Sequence, residues 1–110
     1  MARPLQIQIV QKARCLITDR QRWCRGELAR DVYGDGTCPT SPSAVRWCAL
    51  GAVIAAAYEL THDLKAAHDL ALTALRPTYG TATLVGVNDM RGHADVLALL
   101  DEALVMKHRL

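Results

Sequence analysis

Three features of the sequence predict an all-α fold, a single small domain of four or five helices around one central apolar helix. Half of the 110 residues are apolar, yet aromatics are scarce and phenylalanine is absent. The core must therefore be built from alanine, leucine, valine and isoleucine, and small side chains let helix axes approach closely. Apolar residues also recur at intervals of three and four over most of the chain, which places them on one helix face. Finally, the stretch SPSAVRWCALGAVIAAAYEL at 41–60 has almost no polar face after Arg46. A helix apolar all round, yet too short for a membrane, belongs at the centre of a bundle.

Leu5, Ile9, Ala13, Leu16 and Ile17 form the stripe of a first helix that runs to about Arg20, with Trp23 packing just beyond its end. The string from Leu5 to Ile9 also alternates like a strand, but the longer helical register outweighs it. A shorter helical piece follows over Glu27–Val32. Tyr33-Gly34-Asp35-Gly36-Thr37 is a turn by its chemistry, and Cys38 to Ser43 is an extended loop. Ser41 before Pro42 starts the central helix, since the serine caps free N–H groups and proline loses no bond at the first helical position.

The central helix is expected from Pro42 to about Leu60. Trp47, Leu50, Ile54 and Ala57 line one side, and Ala44, Cys48, Gly51, Ala52 and Ala55 make a face of small residues. Gly51 costs about 1 kcal/mol relative to alanine in a helix, so close approach of a neighbouring helix is expected there. Thr61-His62-Asp63 breaks the pattern and caps a third helix, striped by Leu64, Ala67, Leu70, Ala71, Ala74 and Leu75 and ended by Pro77. Tyr79-Gly80 opens a loop into Thr83–Val87, which is β-branched in part and expected to be extended, pairing with the loop around Thr37. Asn88-Asp89 then precede the last helix, about Gly92 to Lys107, with Val96, Leu97, Leu100, Ala103 and Leu104 inside.

The net charge of +2 does not by itself argue for nucleic acid or membrane. Its distribution is uneven: Arg3, Lys12, Arg14, Arg20, Arg22, Arg25 and Arg30 face only Asp19, Glu27 and Asp31 in the first third. A basic surface attracts polyanions. Aromatic interleaving is limited to Trp23, however, so nucleic acid is not the expected partner. The four cysteines, Cys15, Cys24, Cys38 and Cys48, contain no C-x-x-C pair, and no metal site is expected. No secretory h-region is present, which points to reduced thiols and a cytoplasmic location. The apolar run from Trp47 to Ala57 is about half the length that spans a bilayer, so no membrane association is expected. No Walker loop, G-x-G-x-x-G or H-E-x-x-H motif occurs, and no cofactor is expected.

Three places can carry a site: Trp47-Cys48, Asn88-Asp89 and His93. Cys48, His93 and either Asn88 or Asp89 supply a nucleophile, a base and an orienting group. In the expected helix Cys48 lies about two turns from the N-terminus, where the dipole that lowers a thiol pKa has faded. A structural thiol is therefore favoured. One of Asn88 and Asp89 caps the last helix, leaving the other for a buried hydrogen bond to another loop or for a ligand. His93 starts that helix, usually an exposed position. The candidate catalytic residues are thus Cys48, His93 and Asp89, and the candidate binding residues Trp47, Asn88, Asp89 and Arg46.

The run Ser43-Ala44-Val45-Arg46-Trp47-Cys48-Ala49-Leu50-Gly51-Ala52, with Val87-Asn88-Asp89 and Val96-Leu97-Ala98-Leu99-Leu100, resembles a family of small bacterial and phage proteins known only as a domain of unknown function. Trp23-Cys24-Arg25-Gly26 and Ala29-Arg30-Asp31 with Gly34 are similar to its W-x-x-G and A-R-D-x-x-G pieces. The resemblance implies a phage, prophage or accessory-gene setting and no known activity. The expected function is a small binding or regulatory protein that recognises a protein partner by surface and does no chemistry, with homo-oligomers left open. The alternatives are a small cysteine-dependent hydrolase using Cys48 and His93, and a basic nucleic-acid-binding module.

Overall fold

Helix α1, Leu5–Leu16, buries Ile7, Ile9, Val10 and Ala13, so the helical stripe prevails over the local alternation. The computed structural model describes residues 4–74 and 81–108. α1 ends short of Arg20. The Asp19 carboxylate accepts the Gln21 backbone N–H at 2.9 Å and sets up a 3₁₀ turn over Arg20–Arg22. A short acidic side chain that binds nearby backbone N–H groups competes with helix continuation.

The helical piece expected over Glu27–Val32 is not there. Gly26 turns the chain at φ +79°, and an extended strand β1, Ala29–Arg30, follows. β1 is the centre of a three-stranded antiparallel sheet ordered β2-β1-β3, with β2 at Gly36–Thr37 and β3 at Arg46–Trp47. Ala29 pairs with Thr37 on one side and Trp47 on the other, and Arg30 with Gly36 and Arg46. The fold is mostly helical but not purely all-α. The turn expected at 33–37 joins β1 to β2. Asp31 accepts the N–H groups of Tyr33 and Asp35 at 2.9 and 3.1 Å, and Gly34 takes φ +84°.

The sheet also moves the start of the central helix. The Ser41 hydroxyl accepts the Ser43 N–H at 3.2 Å in a tight turn instead of capping a helix. Val45 N–H donates to the Arg30 carbonyl at 2.9 Å and Cys48 N–H to the Leu28 carbonyl at 3.1 Å. Those bonds hold the chain extended, and α2 spans Ala49–Thr61 with Cys48 as its N-cap. Within these bounds it is the central apolar element. Ala49, Gly51, Ala52, Val53, Ile54, Ala56 and Ala57 are buried, and the helix packs on α1 and two helices that follow. The close approach at Gly51 is made by backbone of the sheet layer, not by a helix. A Cβ added at Gly51 would overlap the Leu28 carbonyl oxygen and stand 2.8 Å from its carbon.

His62 ends α2 in the left-handed region at φ +56°, and Asp63 accepts the Ala66 N–H at 3.1 Å to cap α3, Leu64–Thr73. Ala67, Ala71 and Ala74 are buried as expected, whereas Leu64 is largely exposed. Leu75, Pro77, Tyr79 and Gly80 lie outside the described residues.

Thr83–Val87 is not extended and does not pair with Thr37. It belongs to a helix, α4, Thr81–Met90. Leu84 and Asn88, one turn apart, are both buried, and α4 packs on α2 and on the last helix, α5, His93–His108. Burial at a spacing of four outweighs the local β-branched content. Asn88 and Asp89 thus occupy the last turn of α4 and do not cap α5. α5 buries Val96, Leu99, Leu100 and Ala103 and packs on α1, where Asp101 receives both Arg14 Nε and Nη2 at 2.7 and 3.2 Å. Among the described residues no helix is long and apolar enough to cross a membrane.

Candidate functional site

Asn88 is the one buried polar side chain among the described residues, with 1% of its surface exposed. An amide side chain can accept two hydrogen bonds and donate two, and Asn88 makes all four. Its Oδ1 accepts from Trp23 Nε1 at 2.6 Å and from the Ala49 N–H at 2.9 Å. Its Nδ2 donates to the Cys24 carbonyl at 3.1 Å and to Asp89 Oδ1 at 3.0 Å. Asp89 in turn accepts the Gly26 N–H at 3.3 Å. One side chain of α4 therefore ties together the 23–26 loop and the first turn of α2.

Cys48 sits at the very start of α2, not two turns inside it. Its sulfur accepts the Gly51 N–H at 3.2 Å. A helix N-terminus favours a thiolate, but burial disfavours it, and burial wins: the Cys48 thiol is pushed up from its ordinary value. Cys24 is pushed up to about 11, first by burial and then by the nearby charge that a Cys48 thiolate would carry. Cys38 moves the other way, because its exposed sulfur lies 3.2 Å from the Thr40 hydroxyl, which stabilises the thiolate.

These shifts make stability sensitive to alkali. Between the ordinary thiol value of 9.0 and about 11, the unfolded chain has released the Cys24 proton while the folded chain keeps it. Stability that is full below the unfolded value is lost as pH rises through the folded one. Urea unfolding at about pH 8 and about pH 10.5 should show a lower midpoint at the higher pH, and Cys24→Ala should flatten the decline.

Cys48, Asn88 and Asp89 meet at one cleft of about 230 Å³, lined also by Gly26, Glu27, Leu28 and Val85. The other predicted residues lie elsewhere. Trp47 packs against the core, its Nε1 donating to the Pro39 carbonyl at 3.0 Å. Arg46 is exposed and its Nε donates to the Gln21 carbonyl at 3.1 Å. His93 lines a second cleft of about 310 Å³ with Arg20, Arg25, Arg91, Gly92, Ala94 and Asp95. Its Nε2 lies 2.6 Å from the Ile17 carbonyl oxygen, and among the described residues no hydrogen bond joins it to Cys48. No group of three or more His, Cys, Asp and Glu among those residues is placed to hold a metal ion.

Trp23, Arg25 and Arg91 were not singled out as site residues by the sequence; Arg25 and Arg91 line the second cleft, and Trp23 packs against two of its lining residues, Arg25 and His93. Trp23 is the hub: its Nε1 bonds Asn88, its ring lies 5.6 Å from that of His93, and the Arg25 guanidinium lies over it at 5.1 Å. The Trp-Cys-Arg-Gly spacing was the available signal. Arg91 comes three residues after Asn88 and reads as a neighbour only once 81–90 is known to be helical. Three other cations of the basic first third are engaged. Lys12 pairs with Glu59 at 3.0 Å, Arg14 with Asp101, and Arg30 donates to the carbonyls of Gly34 and Arg25.

Comparison with curated proteins and with solved structures finds no significant match. The residues that build the brace, from Trp23 through Cys48 to Asn88 and Asp89, fall within the stretch 1–104 matched by the model of DUF6197, a family of unknown function, and the chain belongs to that family.

Proposed function

We propose that this chain is a small binding or regulatory protein, acting on a protein partner by surface recognition and doing no chemistry, in a phage or prophage setting. The observation that carries this reading is the commitment of the chemically able groups to folding bonds. Asn88 makes four hydrogen bonds, Cys48 caps α2, Asp89 holds the Gly26 N–H, and His93 is engaged by the Ile17 carbonyl. A general base must reach the proton it removes, and a nucleophile needs its thiolate. Exposed apolar side chains such as Val32 and Tyr33 on the β1–β2 turn and Met90 at the end of α4 offer recognition surface. A second copy of the chain is one such partner, read out by sedimentation at rising concentration.

The cysteine-hydrolase reading keeps one observation in its favour: Cys48 opens a helix and borders a cleft with Asp89. Thiol labelling separates the two. Cys15 and Cys38 are exposed and should react with a maleimide at once, whereas Cys24 and Cys48 should react only on unfolding. His93→Ala should leave the Cys48 rate unchanged. Fast native labelling of Cys48 that slows in His93→Ala would show an activated thiolate coupled to His93 and favour the hydrolase instead. Nucleic-acid binding ranks third, since Lys12 and Arg14 are ion-paired and Arg30 is held by backbone carbonyls.

A further inference from the structure

We propose that the cleft between the 3₁₀ turn and the start of α5 is an oxyanion site, built by Arg20, Arg25 and Arg91 for a phosphate group, whether inorganic or the terminal group of a small phosphomonoester. This goes beyond the binding reading above and would stand even if the chain proved catalytic, because it rests on different residues from the Cys48 cleft.

Three arginines line one cleft of about 310 Å³. Arginine is suited to such a place, since its planar fork matches phosphate oxygens and its charge is permanent. The three are not neutralised. Arg20 and Arg91 have no side-chain hydrogen bond or ion pair within the described residues, whose two salt bridges, Lys12–Glu59 and Arg14–Asp101, lie elsewhere. Among the described residues Asp95 is the one carboxylate on the cleft, and it closes no ion pair with any of them. Three cations against one anion leave an excess of positive charge in a partly enclosed space, where Coulomb interactions are less screened than in open water.

The cleft is also held in shape before any ligand arrives. Arg25 lies over the Trp23 ring at 5.1 Å and its Nη2 donates to the Arg91 carbonyl at 3.0 Å. Gly92, at φ +155°, gives it room, because a Cβ there would stand 3.3 Å from the same Nη2. His93 forms part of the wall, anchored on Ile17 and against Trp23. Trp23 is itself fixed through Asn88. Side chains ordered in this way lose little further freedom on binding.

The test is titration of the full chain at constant ionic strength with inorganic phosphate and with phenyl phosphate, followed by amide chemical shifts of residues 91–95. Saturable binding at one site per chain is expected for at least one of the two, and the tighter one identifies the source of the phosphate group. Arg20→Ala and Arg91→Ala remove exposed side chains that bond no other described residue and should leave the fold intact. Each should weaken binding by about tenfold or more, the scale of one charge-assisted hydrogen bond. Arg22→Ala, an equal loss of charge outside the cleft, should change it by less than about twofold. Asp95→Asn should tighten binding by removing the one opposing charge. The proposal is overturned if neither probe saturates, or if Arg22→Ala weakens binding as much as Arg91→Ala. It is also overturned if a short single-stranded oligonucleotide binds far more tightly with a steep salt dependence shared by all these arginines, which would mark a nucleic-acid surface.

Discussion

Gly51→Ala should destabilise the protein by ~3 kcal/mol or more, the upper end of what overpacking costs. One methyl group is added, but the atom it meets is not a side chain that can rotate away. It is the Leu28 carbonyl, which a Cβ at this position would overlap. The same carbonyl accepts the Cys48 N–H at 3.1 Å, and the Gly51 N–H is held by the Cys48 sulfur. Pushing Leu28 away would therefore loosen the junction between the sheet and α2 as well as relieve the clash. Alanine is the better helix former by about 1 kcal/mol, so a stabilised variant would mean that the Leu28 backbone does not approach α2. Chemical denaturation of the two proteins decides it.

Asn88→Ala should be comparably damaging, at ~3–5 kcal/mol, since each buried group left without its partner costs ~1–3 kcal/mol. Three such groups lose theirs: Trp23 Nε1, the Ala49 N–H and the Cys24 carbonyl. Asn88→Asp is a sharper probe, because it keeps the shape. Its oxygens still accept from Trp23 and Ala49, but the donor that served the Cys24 carbonyl and the Asp89 carboxylate is gone. The carboxylate oxygen that replaces the amide nitrogen then faces two acceptors, the Cys24 carbonyl and Asp89 Oδ1, and like charges meet at adjacent residues. Little of the loss should be recovered. Unfolding free energies within a few tenths of a kcal/mol of the parent for either variant would show that water replaces the amide without cost.

The sequence made the interiors of the helices legible and their junctions less so. α1, the Asp63 cap of α3 and the buried stripe of α5 follow from spacing and local capping chemistry, which act within one or two turns. The start of α2 does not. Ser41-Pro42 is a sound local signal, but it loses to Val45 and Cys48 bonding backbone some fifteen to twenty residues away, at Arg30 and Leu28. Strand partners of that kind leave no periodic mark in two-residue strands. α4 is hidden for a related reason: its buried face is Leu84 and Asn88, and a polar residue in the core breaks the apolar count that reveals a helix. With 81–90 helical, Asn88 and Asp89 end α4 and do not start α5, and the bond expected at α5 is given by Asn88 to the first turn of α2. Arg91 and Trp23 became neighbours of His93 only through that placement.

The first turn of α2 is completed by Asn88, whose Oδ1 accepts the Ala49 N–H from 39 residues further along the chain. A helix end that depends on so distant a partner is not finished when its own sequence has emerged. Loop closure over that span must come before the bond rewards it. α2 should thus nucleate from its alanine-rich middle against α1, while its first turn and the sheet in front of it fluctuate until α4 docks. The Ala49 amide becomes a local clock for that event: its hydrogen exchange should report the opening of α4 from the body of the protein, at a lower free energy than the amides of Val53 to Ala57.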